Sequence, residues 1–190
     1  MKAVDRFLQQ WRIGKALPFI RSGDRLLDVG CYDRTLIDRA LPRVASAVGM
    51  DALVEPASND RVELLRGHFP EDSRFEDACF DCIVLLAVLE HVDDPMTLAG
   101  ECERILAPGG RVIVTVPHPL VDGILDVLMF LRVIDGMSTE EHHGFDVAKT
   151  ASIFEAARLP VLHEKRFQLG LNRLFVFEKP GASSRNHVGG

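Results

Sequence analysis

No stripe of lysine and arginine runs through this chain. Its 22 basic residues are outnumbered by 28 acidic ones, for a formal charge of −6 and an isoelectric point near 5.6. A nucleic-acid backbone needs clustered basic side chains to replace its counterions, so this balance argues against nucleic acid as the main partner. Long apolar runs are also missing. The most apolar stretch, Leu120 to Ile134, is interrupted by Asp122, Asp126 and Arg132, short of the roughly 20 residues a membrane span requires. The N-terminal MKAVDRFLQQWRIGKAL has no continuous apolar core and no small-residue cleavage site, so it does not read as a signal peptide. These features predict a cytoplasmic protein with no integral membrane segment.

Cysteine is scarce: Cys31, Cys79, Cys82 and Cys102 are the whole set, with no secretory feature to argue for disulfides. Cys79 and Cys82 form one C-x-x-C. A structural zinc site usually takes four ligands, and no second pair stands near. Cys82 also begins the apolar run CIVLL, where a thiol behaves as a small hydrophobe. No metal is expected.

What is present suits one α/β domain. Hydrophobic residues make up 47% of 190 and charged residues 26%, ordinary proportions for a globular protein. Residues 25–29, 44–50, 61–66, 81–86 and 111–116 are short runs rich in Val, Ile and Leu, mostly continuous rather than alternating. Parallel strands covered on both faces have that pattern. Helical segments lie between them. FLQQWRIGKALPFI offers Phe7, Trp11 and Ile13 for packing on the sheet, and Thr35 to Ala40 is a short helix. Pro95 to Leu106 has Asp94 as its cap and Pro95 in its first turn, and Pro108, Gly109 and Gly110 stop it. After Val147 a helix leads to VLHEKRFQL and RLFVFEK, joined through Gly170, Leu171 and Asn172, a link short enough only for an antiparallel hairpin. The expectation is a Rossmann-like, doubly wound, mostly parallel seven-stranded sheet with a C-terminal antiparallel hairpin. A single domain over residues 1–180 and a frayed tail at 181–190 complete it.

Ligands of such sheets bind beyond the carboxyl ends of the strands. The first strand is followed by Asp28, Val29, Gly30, Cys31, Tyr32, Asp33, Arg34 and Thr35, and Asp51 ends the second. A carboxylate at Asp51 can accept from both hydroxyls of a ribose, and Gly30 lets backbone approach a ligand because it has no Cβ. A dinucleotide site would want G-x-G-x-x-G, but no glycine follows Gly30 until Gly49, and Asp28 would set a carboxylate near the phosphate.

Four stretches, LLDVGCYDRTL (26–36), GMDAL (49–53), FEDACFDCIVLLAVLEHVDDP (75–95) and ILAPGGRVIVTVPHP (105–119), resemble in order and spacing the class I S-adenosylmethionine-dependent methyltransferases, especially the branch acting on small molecules and lipids. The resemblance implies that Asp28, Gly30, Cys31 and Tyr32 lie beside the methionine moiety of the cofactor. Asp51 would hold its ribose, and Ala52 and Leu53 would flank its adenine. His68 and Phe69 occupy the place where the family often sets an acid toward the adenine amino group. Leu86 would offer backbone to the ammonium, and His91 would line the same cleft. Two departures stand out. The family's D-x-G-x-G-x-G is here interrupted by Tyr32 and Arg34, the latter free to point to solvent or to pair with Asp33 or Asp38, and His68 replaces the acid.

Methyl transfer asks the protein mainly to align nucleophile and methyl, and sometimes to remove a proton. Histidine is the natural base at neutral pH. His142 and His143, in EEHHGFD before the last helix, are the candidates; the other use of that loop is solvated capping. His118, between Pro117 and Pro119, reads as turn chemistry. The apolar segment 120–137 is either a lid for a hydrophobic or lipid-like acceptor, or a cover helix or homodimer contact. Two functions follow: a methyltransferase on a small-molecule or lipid-like acceptor, whose product cofactor is S-adenosylhomocysteine, or a degenerate cofactor-binding interaction protein of the same fold.

Overall fold

The computed structural model describes residues 3–117 and 147–181. An eight-stranded sheet runs through it: β1 (Arg25–Val29), β2 (Ser46–Asp51), β3 (Ala57–Ser58), β4 (Val62–Arg66), β5 (Phe80–Leu86), β6 (Leu106–Pro117), β7 (Val161–Phe167) and β8 (Asn172–Glu178). Their order is β3-β4-β2-β1-β5-β6-β8-β7. The five central strands β4, β2, β1, β5 and β6 pair in parallel, while β8 and β7 return antiparallel at one edge and β3 at the other. The seven expected strands are all there. The eighth, β3, has only two exposed residues, too few to leave an alternation for a sequence to show.

Because successive strand residues point to opposite faces, the Val/Ile/Leu runs build two cores. On one face Leu27, Ile83, Val114 and Phe175 pack with Leu98 and Ile105 of α3 (Pro95–Ile105) and Phe154 of α4 (Thr150–Ala156). On the other, Leu26, Val84, Ile113 and Val176 meet Ile13 of α1 (Ala3–Ala16) and Ile37 of α2 (Thr35–Ala40). Gly49 sits in mid-strand because a Cβ there would lie 2.8 Å from both Cys31 Sγ and Ile37 Cδ1; α2 can close on β2 only over a bare backbone. Helix α3 is capped as its sequence predicts: Asp94 Oδ1 accepts from the N–H groups of Met96 and Thr97 at 3.0 and 3.1 Å, worth about 1 kcal/mol. It ends at Ile105, one residue before the expected boundary, because Leu106 already begins β6.

The N-terminal helix departs from expectation. Ile13 is buried, but Phe7 and Trp11 are 61% and 36% exposed and stack edge-on against each other instead of the sheet. Phe7 and Trp11, four residues apart, share one stripe of the helix, and Ile13 lies on another, so burying Ile13 turns the two rings outward. At the amino end of the sheet, Arg111 Nη2 forks onto Asp24 at 2.9 and 3.1 Å, with both side chains buried, and Arg25 pairs with Asp81 at 2.8 Å. The charges that stitch β1 to β5 and β6 thus lie at the end opposite the carboxyl tips of the strands.

Candidate active site

From β1 the chain runs to β2 and β4 on one side, and β5 and β6 lie on the other, so the strand order reverses between β1 and β5. Open α/β sheets form their ligand crevice at such a point. Here it opens over the tips of β1, β2, β4 and β5 as a cleft of about 670 Å³, which Gly30, Asp51, Ala52, Leu53, His68, Phe69 and His91 help to line. A second, smaller cavity of about 50 Å³ lies under α1, against Gln9, Ile13, Asp28, Cys31 and Leu86. Gly30 borders both.

The turn after β1 explains that junction. The Gly30 N–H donates to Met50 O at 2.8 Å, and its φ of 73 is left-handed; a Cβ would stand 2.8 Å from Val88 Cγ2. Tyr32 and Arg34 also take left-handed backbone, φ 40 and 53, at the places where the family's glycines would sit. The turn keeps the glycine-type path although its residues have changed. Side chains with a Cβ cost roughly 1–2 kcal/mol in that region. Arg34 meets the cost in an orderly way: its Nε and Nη2 donate to Asp38 Oδ1 at 3.1 and 2.8 Å, one turn along α2. Asp33 is engaged elsewhere, accepting from the Thr35 N–H at 3.2 Å and Gln9 Nε2 at 3.0 Å. The Tyr32 ring is half exposed and borders neither cavity; what the residue contributes is its N–H.

Asp51 receives that N–H on Oδ2 at 3.1 Å and the Leu53 N–H on Oδ1 at 2.8 Å. Two backbone donors hold the carboxylate at the cleft wall, and each oxygen keeps a further lone pair for a ligand hydroxyl. Asp28 is different. It is 4% exposed, and desolvation, reinforced by the nearby charges of Asp51 and Asp33, pushes its carboxyl up to about 8. Near neutral pH such an acid is mostly protonated, and it can meet a cation brought by a ligand by giving up that proton. Burial, with Asp28 and Asp51 adding to it, lifts the Cys31 thiol to about 12, which makes it wall rather than nucleophile. Cys82 is buried in β5 with its thiol also raised by desolvation.

Some cleft residues carry no signal in the sequence. Asp72 reaches it because the loop after β4 folds back: the His68 N–H donates to Asp72 Oδ2 at 2.8 Å, and the Asp72 N–H returns to His68 O at 2.9 Å. An acid thus borders the cleft beside the exposed His68. Met50 and Val88 complete the apolar wall. His118, His142, His143 and the segment 120–137 lie outside the described residues. Among the described residues no helix is long and apolar enough to cross a membrane.

A parallel sheet with its reversal between β1 and β5, an acid ending β2 and an antiparallel terminal hairpin define a nucleoside-binding Rossmann-like architecture. Comparison with known proteins agrees. The family model described as a methyltransferase domain matches residues 2–163. A ubiquinone biosynthesis O-methyltransferase of Xylella fastidiosa is 29% identical over 161 residues, covering 80% of this chain and 65% of that protein; the chain therefore spans somewhat under two thirds of that relative. Among solved structures, a putative methyltransferase of Haloferax volcanii in complex with the Trm112 activator superposes with a TM-score of 0.71 at 18% identity, over 90% of this chain and 91% of that one. The 1,6-didemethyltoxoflavin-N1-methyltransferase of Burkholderia thailandensis, bound to that substrate and S-adenosylhomocysteine, gives 0.69 at 17%, over 93% and 81%. The chain belongs to the class I S-adenosylmethionine-dependent methyltransferase family.

Proposed function

We propose that this protein is an S-adenosylmethionine-dependent O-methyltransferase acting on a small hydroxyl-bearing acceptor. One observation carries the reading: two carboxylates of opposite character flank the Gly30 turn, Asp51 held by backbone donors in the open cleft and Asp28 buried beneath α1. The first suits a ribose and the second suits an ammonium, the two polar ends of this cofactor. The residues present fit the group. Asp51 would accept the ribose hydroxyls, Ala52 and Leu53 would flank the adenine, and Asp72 stands at the cleft wall where His68 replaces the family's acid. Asp28 and the Leu86 backbone would hold the methionine end, and His91 would line the cleft.

When bound, the cofactor supplies a methyl group already activated on a sulfonium. The chain's share is to hold both reactants in line, exclude water and take the proton released by an oxygen nucleophile. We assign the proton to His142 or His143, which stand a few residues before Val147, where the turn leading to α4 begins. Oxygen as the acceptor atom is supported by the relative's name. Free thiols at Cys31, Cys82 and Cys102, all buried, support a cytoplasmic, reducing setting. Titration with S-adenosylhomocysteine, followed by transfer of a labelled methyl group from S-adenosylmethionine to a phenol panel, tests the assignment. Saturable binding and an O-methyl product are expected; a folded protein that binds neither form of the cofactor refutes it.

A further inference from the structure

Beneath α1, a relay of amides joins the helix to the β7–β8 hairpin. Gln168 Nε2 donates to the Leu8 carbonyl at 3.4 Å, and Asn172 Nδ2 donates to Gln168 Oε1. A backbone carbonyl only accepts, so the polarity of the whole relay is set at the helix end. Gln168 must give its nitrogen to Leu8 and its oxygen to Asn172, and Asn172 must give its nitrogen to Gln168. The free end is therefore an acceptor, Asn172 Oδ1. Both residues are buried, and that oxygen has no partner among the described residues. The relay is kept in place at a conformational cost, since Gln168 holds a left-handed φ of 51.

A second orphaned oxygen stands on the next strand. Thr115 is fully buried and its Oγ1 has no partner among the described residues. Register sets Thr115 opposite Leu174 and Pro117 opposite Asn172. Leu174 and Ile113 face α1, so by strand alternation Asn172 and Thr115 face the same way. On its other side Thr115 pairs with Leu86, which borders the small cavity over Asp28. A row from Asp28 through Leu86 and Thr115 to Asn172 thus crosses the carboxyl end of the sheet under α1.

We propose that Thr115 and Asn172 bind a hydroxyl of the acceptor. A hydroxyl satisfies the two oxygens together, donating to Asn172 Oδ1 and accepting from the Thr115 hydroxyl. An ether or ketone oxygen leaves Asn172 orphaned. The inference rests on the methyltransferase reading, which sets the cofactor's methionine end over Asp28 and Leu86 and leaves the neighbouring strands to the acceptor.

The test uses the full chain saturated with S-adenosylhomocysteine and titrated with catechol and, separately, its dimethyl ether, 1,2-dimethoxybenzene. The parent should prefer catechol by 10-fold or more. Thr115→Val keeps the shape and removes the hydroxyl, and should erase about 10-fold of that preference, the scale of one neutral hydrogen bond. Asn172→Leu should do the same, and both variants should bind S-adenosylhomocysteine like the parent. Thr115→Val, which removes an orphaned polar atom, should melt no lower than the parent; it carries the test if Asn172→Leu fails to fold. A parent indifferent to the two probes, or captured by neither, overturns the proposal. So does a Thr115→Val protein that keeps the full preference, because the hydroxyl is then held by a buried water or another group. A parent that fails to bind S-adenosylhomocysteine removes the methyltransferase reading itself, a result distinct from binding without discrimination.

Discussion

Asp28 couples cofactor binding to proton release. Its carboxyl sits at about 8 in the ligand-free protein, chiefly through desolvation, so at pH 7.5 about three quarters of the molecules carry the proton there. An ammonium placed beside it favours the ionised form, so the proton must leave as the cofactor enters. Calorimetry in buffers of differing ionisation enthalpy should detect release of about 0.8 proton at pH 7.5. The sign follows: the free protein holds the proton and the complex does not, so affinity rises with pH and levels off above 8. From pH 6 to pH 8 the deprotonation penalty falls by about 2.3 kcal/mol, a gain of roughly 50-fold. Asp28→Asn, neutral throughout, should abolish both the proton release and the pH dependence while weakening binding. It should also stabilise the ligand-free chain. A raised carboxyl contributes stability in full below its unfolded value, and that contribution is lost progressively as pH rises to about 8, a difference of a few kcal/mol. A parent whose affinity is flat between pH 6 and 8, or an Asn variant that keeps the slope, refutes the reasoning.

Other perturbations isolate other parts of the fold. Asp51→Ala removes the ribose acceptor and should weaken S-adenosylhomocysteine binding by about 1–3 kcal/mol; unchanged affinity in a folded variant refutes the assignment. Arg34→Gly relieves a left-handed φ of 53 at the loss of an exposed ion pair, and should raise stability by up to about 1 kcal/mol with little change in cofactor affinity. Thermal melts and a titration check both, and strong binding appearing only in the glycine variant would mark the parent as a degenerate member. Asp24→Ala leaves Arg111 charged and buried at the amino end of the sheet, and should cost roughly 3–5 kcal/mol in urea unfolding while any surviving folded fraction binds cofactor normally.

Much of this site was legible before folding because its signals are local. Runs of Val, Ile and Leu mark strands covered on both faces, and residues just past a strand tip must lie at the sheet's carboxyl edge. Asp28, Gly30 and Asp51 are therefore placed by counting along the chain. The Asp94–Pro95 start of α3 is equally local, since a cap reaches only to the next N–H groups. Three outcomes belonged to tertiary structure. Arg34 had Asp33 and Asp38 as equal candidates, and the contact of Asp33 with Gln9 of α1 left it Asp38. Phe7, Trp11 and Ile13 are alike in hydrophobicity, and only the angle at which α1 meets the sheet chose Ile13 for the core. Asp72 comes to the cleft through a loop that folds back on itself, and Thr115 and Asn172, more than fifty residues apart, share a face through the antiparallel register of β6 and β8. Sequence periodicity sets which way a side chain points along its own strand; which neighbour it finds there depends on the pairing of strands distant in the chain.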